Sequence, residues 1–263
     1  MKIRSLLRLA ALAVSAATFS QTPAFSQTAP VIAAASDLQF ALEDVAAKFR
    51  SDTGRDVRLN FGSSGNFVRQ LQQGAPFEIF MSADEGFVFQ LADAGKTLDR
   101  GALYAEGRIV LFAPKNSTLK VDAKLDDLRA ALADGRIQRF AIANPEHAPY
   151  GRAAEQALKS QGLWDAAKPK LVLGENVSQA AQFATIGSAQ GGMFAYSLAL
   201  SPSVGGLGTY ALIPLDWHAP LLQRMVLMKN AGETAKAFYA YMRAPPARTV
   251  LSKFGFVLPG EAP

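Results

Sequence analysis

The chain has 263 residues, is 49% hydrophobic and 19% charged, carries a formal net charge of +5 and has no cysteine. That length and apolar content suffice for a substantial core, in one large domain or two lobes. The lack of cysteine excludes disulfide scaffolds, thiolate metal sites and thiol nucleophiles, fits an oxidising compartment, and leaves His147 and His218 as the imidazoles.

The first predicted element is a targeting segment. Met1-Lys2-Ile3-Arg4-Ser5-Leu6-Leu7-Arg8 is basic, an apolar stretch runs from Leu9 to about Ala17, and small residues stand at Ala24 and Ser26. This is the layout of a secretory signal peptide over residues 1–26, cleaved after Ser26 and too short in its apolar part for a comfortable membrane span. Its removal takes Lys2, Arg4 and Arg8 and no acid, lowering the charge from +5 by three to +2. A charge that small, with no Lys/Arg-rich block, argues against a nucleic-acid partner. No second long apolar segment follows, so a soluble mature protein is expected.

Beyond it, strand-like runs alternate with amphipathic helical patterns. Val31 to Ala35 reads as a strand before a helix near Leu38 to Ser51, whose Leu38, Leu42, Val45 and Phe49 recur at spacings of three and four. Val57 to Phe61 precedes a helix near Asn66 to Gln73; Phe77 to Met81 precedes a helix near Glu85 to Ala94. Strands are then predicted at Arg108 to Phe112, Arg139 to Ala143, Gly191 to Tyr196 and Met225 to Met228. Helices are predicted near Arg152 to Ser160, Thr234 to Met242 and Ala247 to Phe254. This rhythm specifies an α/β fold with mainly parallel sheets flanked by helices. Breaks at Pro114-Lys115-Asn116 and Trp217-His218-Ala219-Pro220 are candidate crossings between two lobes. The expected division is 27–109 with 222–263 as one lobe and 110–221 as the other.

Four joins share one pattern, in which Ser, Gly or Asn stands where a helix begins: Ser36-Asp37, Gly62-Ser63-Ser64-Gly65-Asn66, Pro149-Tyr150-Gly151 and Asn176-Val177-Ser178. Helix N-termini present unbonded N–H groups and a partial positive charge, so several converging on one cleft would hold an anion without a charged side chain. In parallel sheets such loops lie beyond the strands' carboxyl ends, where ligands bind. Taken singly, Ser36 with Gln39 fits a capping box worth about 1 kcal/mol, and Ser63 and Ser64 fit a glycine-rich turn. Asp37 reads as a favourable acid of a first helical turn with its side chain in solvent, or as the acceptor of a proton from a hydrogen-bearing oxyanion. Arg152 reads as a cation turned outward. No Gly-x-Ser-x-Gly, His-Glu-x-x-His or phosphate-loop motif points to an enzyme, His147 reads as a loop residue, and Glu78, Asp84 and Glu85 read as the solvated start of a helix rather than a metal site.

Ala33-Ala34-Ala35-Ser36, Phe61-Gly62-Ser63-Ser64, the block from Gln73-Gly74-Ala75-Pro76 to Ser82-Ala83-Asp84, Asn144-Pro145-Glu146-His147-Ala148-Pro149-Tyr150-Gly151 and Lys253-Phe254-Gly255-Phe256 resemble the periplasmic molybdate-binding proteins of ABC importers, over nearly the whole mature chain. The resemblance implies a two-lobed type II periplasmic binding fold with a hinge, closing on molybdate or tungstate held by neutral donors. It implies no cofactor, no bound metal cation and no chemistry, a membrane permease as partner, a periplasmic location and a monomer. It carries Ser36 and Ser64 into the role of hydroxyl and N–H donors and Tyr150 and Val177 into that of backbone donors, with Asp37 and Ser63 beside them and Asn176 capping the Val177 helix. The family's ligand tyrosine matches Ala195 here, with Tyr196 one residue later, and a one-residue shift reverses a strand's faces; Tyr150 is then the alternative source of the hydroxyl. Sulfate, phosphate or an organic anion as ligand, a sensor role and a hydrolytic enzyme remain the alternatives.

Overall fold

The structure, a computed structural model, describes residues 29–261; the signal peptide expected over residues 1–26 lies outside them. In chain order the elements are β1 Val31–Ala35, a 3-10 turn Ser36–Leu38, α1 Gln39–Thr53, β2 Arg58–Gly62, α2 Ser64–Gln72, β3 Ile79–Ser82, α3 Glu85–Asp93, β4 Ala102–Gly107, β5 Ile109–Pro114 and α4 Asp126–Ala133. There follow β6 Phe140–Ala143, α5 Pro149–Ser160, α6 Trp164–Ala167, β7 Leu171–Gly174, α7 Val177–Thr185, β8 Gly191–Ala195, α8 Tyr196–Ala199, α9 Pro202–Gly205, β9 Gly208–Leu212, β10 Leu221–Leu227, α10 Glu233–Tyr241 and α11 Pro245–Lys253.

These strands form two five-stranded sheets, ordered β2-β1-β3-β10-β4 and β7-β6-β8-β5-β9. Each is mixed: β1 pairs parallel with β2 and β3, and β6 with β7 and β8, while β10 and β5 pair antiparallel with their neighbours. The chain leaves the first sheet after Gly107, enters the second at Ile109, and returns between Trp217 and Leu221. Pro114-Lys115-Asn116 instead closes the far end of β5, within the second sheet.

Helix α1 shows why these residues take these forms. Ala41, Leu42, Val45 and Phe49 fall on one face and are buried, the 3.6-residue period turning a sequence stripe into a packing surface. Phe49 meets Phe238 of α10 edge to face at 5.1 Å, and burying such a side chain is worth about 1.5–3 kcal/mol. Gly54, at φ 69°, ends the helix and donates its N–H to Arg50 O at 2.8 Å, a left-handed position that glycine takes without a Cβ penalty. The first sheet thus has a core on each face, one around Phe49, Met81 and Phe238 and one around Phe67, Phe77 and Phe80. The second packs Phe112, Phe140 and Phe194 with α4, α5 and α7.

The parallel strands fix the site. β1 and β2 run straight into the Ser36 turn and α2; β6 and β7 run into α5 and α7. The carboxyl ends of both parallel sets face one another, and four helical starts meet between the sheets.

Candidate functional site

A small cavity, with about 10 Å³ open to the centre of a water-sized sphere, lies where those starts meet, lined by Ser36, Asp37, Ser63, Ser64, Tyr150 and Val177 among others. That is about the room of one water, far too little for a drug-sized organic ligand. Its lining includes no Lys, Arg or His. The positive end of the site is instead backbone: α2 begins at Ser64, α7 at Val177, and α5 at Pro149. A helix leaves its first N–H groups without internal acceptors, and the proline at the head of α5 makes Tyr150 the first residue there that has an N–H.

Each side chain has a definite partner. Ser64 Oγ accepts the N–H of Ala83 at 3.0 Å, which leaves its own O–H to donate elsewhere. Ser36 does not cap a helix; its Oγ donates to Asn176 Oδ1 at 3.1 Å and accepts the N–H of Ser178 at 3.3 Å. Asn176 caps α7 by accepting the N–H of Gln179 at 3.1 Å. Ser63 Oγ lies 3.0 Å from Nδ1 of the buried His147. Gly65 donates its N–H to His147 O at 3.0 Å, and a Cβ on Gly65 would stand 2.8 Å from that oxygen. These contacts join residues built on one sheet to residues built on the other, so the site is closed.

Asp37 departs from the solvent-facing side chain expected of it. It is 1% exposed, accepts hydrogen bonds at Oδ2 from Tyr150 Oη at 3.0 Å and Gln223 Nε2 at 2.6 Å, and its buried Oδ1 has no partner among the described residues. Gln223 Oε1 in turn accepts from Tyr104 Oη at 2.7 Å, and the Asp37 carbonyl accepts from Ser197 Oγ at 2.7 Å. Burial pushes the Asp37 carboxyl up from 3.8 to about 6, against the bonds from Gln223 and Tyr150 that hold it down. Burial, and then the charge of Asp37, pushes the Tyr150 and Tyr104 phenols up as well, both well beyond the ordinary value. The side chain turned away from the helix start because β10 offers it Gln223, a glutamine on the buried face of an apolar strand; that placement is itself a sequence signal, since a buried amide requires partners.

Of the other residues singled out above, Tyr196 is not in the cavity lining. It opens α8 and its ring packs 5.6 Å from that of Tyr210. Arg152 is half-buried, pairs with Asp84 beside the cavity and lies over the ring of Phe87. Glu85 pairs with Arg224 at 2.9 Å. Sequence reasoning missed Gln223, Tyr104, Ser178 and Ser197 as partners of the site.

The family described as bacterial extracellular solute-binding protein matches residues 30–257. The molybdate-binding protein ModA of Rhodobacter capsulatus is 34% identical over 230 residues, 86% of this chain and 87% of that protein; ModA of Escherichia coli K12 is 32% identical over 231 residues, 86% and 87% of the two chains. Among solved structures, the periplasmic molybdate-binding protein of Azotobacter vinelandii superposes with a TM-score of 0.80 at 32% identity, covering 88% of this chain and 100% of that one. The sulfate-binding protein SubI of Mycobacterium tuberculosis, at 13% identity and a TM-score of 0.73 over 89% and 88% of the chains, shares the fold.

Proposed function

This chain belongs to the bacterial extracellular solute-binding proteins, with the molybdate-binding proteins among its relatives, and from that membership we propose that it captures molybdate between its two lobes and delivers it to the permease of an ABC importer. The family is one of transport binding proteins, so the protein binds and releases its ligand without chemistry. In this reading tungstate is a second ligand, the signal peptide of residues 1–26 sends a monomer to the periplasm, and the lobes are 27–109 with 222–263, and 110–221.

The observation that carries the reading is the convergence of helix starts from both sheets on one small cavity with no cationic side chain in its lining. A dianion there is met by the N–H groups of Ser64, Tyr150 and Val177 and the hydroxyl of Ser64, while Ser36 Oγ turns from Asn176 to the ligand. Each hydrogen bond to a charged oxygen contributes roughly 1.5–3 kcal/mol, and each helix start adds about half a positive charge. The donors serve both lobes, so the ligand stabilises closure and shifts the population toward the form the permease recognises.

Calorimetric titration with molybdate, tungstate, sulfate and phosphate tests this directly. One-to-one binding of molybdate with Kd of about 1 μM or tighter, equivalent to about −8 kcal/mol, and much weaker sulfate and phosphate binding are expected; heat with phosphate alone, or with none of the four, would sink it. In the same titration Ser64→Ala should weaken molybdate about 10- to 100-fold, the equivalent of losing one hydrogen bond to a charged group. It should also lower the melting temperature, because the buried N–H of Ala83 loses its acceptor. An unchanged Kd in Ser64→Ala would remove Ser64 from the donor set.

A further inference from the structure

The cavity lining contains one ionisable side chain that a dianion should repel. Asp37 is 1% exposed, sits beside Ser36 and Ser64 in the lining, and uses only one of its two carboxyl oxygens: Oδ2 takes the Tyr150 hydroxyl and the Gln223 amide, while Oδ1 is buried without a partner. An ionised carboxylate can only accept hydrogen bonds, as can the oxygens of a dianion, so the two cannot bond unless a proton stands between them. Two like charges at such range in a water-excluded cleft cannot both persist.

We propose that Asp37 is a ligand-binding residue that carries a proton on Oδ1 in the complex and donates it to an oxygen of the bound oxyanion, so that capture of each dianion brings one proton into the cleft. The inference rests on the oxyanion reading above and adds to it the protonation state of the complex. The proton comes from solvent when the ligand arrives as a dianion, and from the ligand itself when it arrives monoprotonated; one O–H bond is formed on Asp37 in either case. The charge taken into the closed cleft is then two negative units rather than three.

The surroundings of Asp37 allow this. From α5 it faces the Tyr150 hydroxyl, from β10 the Gln223 amide, behind Gln223 the Tyr104 phenol of β4, and from α8 the Ser197 hydroxyl on its own carbonyl. Both phenols are pushed up by burial and stay neutral in the working range. His147, across Ser63, bonds to Ser63 Oγ and lies 3.6 Å from Glu175. The cleft wall itself contains no cation to hold Asp37 ionised, and burial has already raised its carboxyl to about 6; a neighbouring dianion raises it further.

The test is calorimetric titration of the protein with sodium molybdate at pH 7.5 in buffers of different ionisation enthalpy, which reads the protons exchanged per ligand bound. Uptake of about one proton is expected, with Kd rising about tenfold per pH unit between pH 7 and 8, as single-proton linkage requires. In Asp37→Asn the uptake should fall to near zero and the Kd should cease to vary with pH, since an amide donates without titrating. Tight binding by the wild type with no proton uptake overturns this inference and leaves the carrier reading intact, as does uptake that persists in Asp37→Asn. Failure of the wild type to bind molybdate at all overturns both.

Discussion

Gly65→Ala is expected to weaken molybdate binding about 5- to 100-fold while leaving the melting temperature of the protein without added ligand unchanged or higher. The two effects have opposite signs because they belong to different states. In the closed form the second residue of α2 lies against the other lobe, its N–H on His147 O at 3.0 Å, and an added Cβ would stand 2.8 Å from that oxygen and 3.0 Å from the His147 Cα. Backbone is on the far side of the clash, so the lobes themselves must move; overpacking of this kind costs about 1–3 kcal/mol, and each 1.4 kcal/mol is tenfold in affinity. The three atoms nearest to the added Cβ all belong to His147, so parting the lobes removes that clash, and alanine in a helix is favoured over glycine by roughly 0.5–1 kcal/mol. Titration calorimetry and a thermal melt read the two halves separately. An unaltered Kd would mean that the Gly65–His147 contact is absent from the liganded form.

The second large effect is on closure itself. Tyr150 donates to Asp37 from the other lobe, whereas Gln223 bonds it from its own; separation of the lobes is expected to admit water to the carboxyl and let it fall back toward its ordinary 3.8. Its carboxyl stands at about 6 in the closed form, so closed protein holds more protons between about pH 4 and 6, and closure loses favour as pH rises through that window. A full return of about two units would be worth roughly 3 kcal/mol, or about a hundredfold in the closure equilibrium, as an upper bound. Without added oxyanion, the radius of gyration from small-angle scattering should therefore be smaller at pH 4.5 than at pH 7.5. Asp37→Asn should give the compact value at both. A wild-type radius independent of pH would show that Asp37 bears no closure penalty.

Much of the scaffold was legible because parallel strands buried on both sides leave plain apolar runs. Val31 to Ala35, Phe77 to Met81 and Arg139 to Ala143 each mark a strand of the structure to within a few residues. The strands that went unread are β4, β7 and β9, and the helices α4, α6, α8 and α9. β7 is four residues long, and β9, Gly-Thr-Tyr-Ala-Leu, is an edge strand with two exposed positions, so neither offers a periodic signal. β5 and β10 were read as strands, at Arg108 to Phe112 and Met225 to Met228, but apolar runs carry no sign of direction, so their antiparallel pairing was unseen. At the site, the helix starts at Ser64, Pro149 and Val177 were legible from Ser, Pro and Asn chemistry, which acts locally. The environment of Asp37 was not, because Gln223 lies 186 residues away and Tyr150 113. A local rule placed an acid in a first turn correctly and its side chain wrongly; tertiary partners decided where the carboxylate went.

The placement of β10 has a consequence for how the molecule is made. It lies between β3 and β4, so the first sheet receives the strand that links them only after more than two hundred residues have been laid down. Every element of the second sheet, from Ile109 to Leu212, is by then complete. A nascent chain ending before Leu221 has β3 and β4 with open edges and nothing to join them, while the second sheet already has all its pairings. The topology therefore lets the interior segment complete its pairings first, while the amino-terminal segment needs the carboxyl-terminal one, and such long-range pairings are the ones that slow folding.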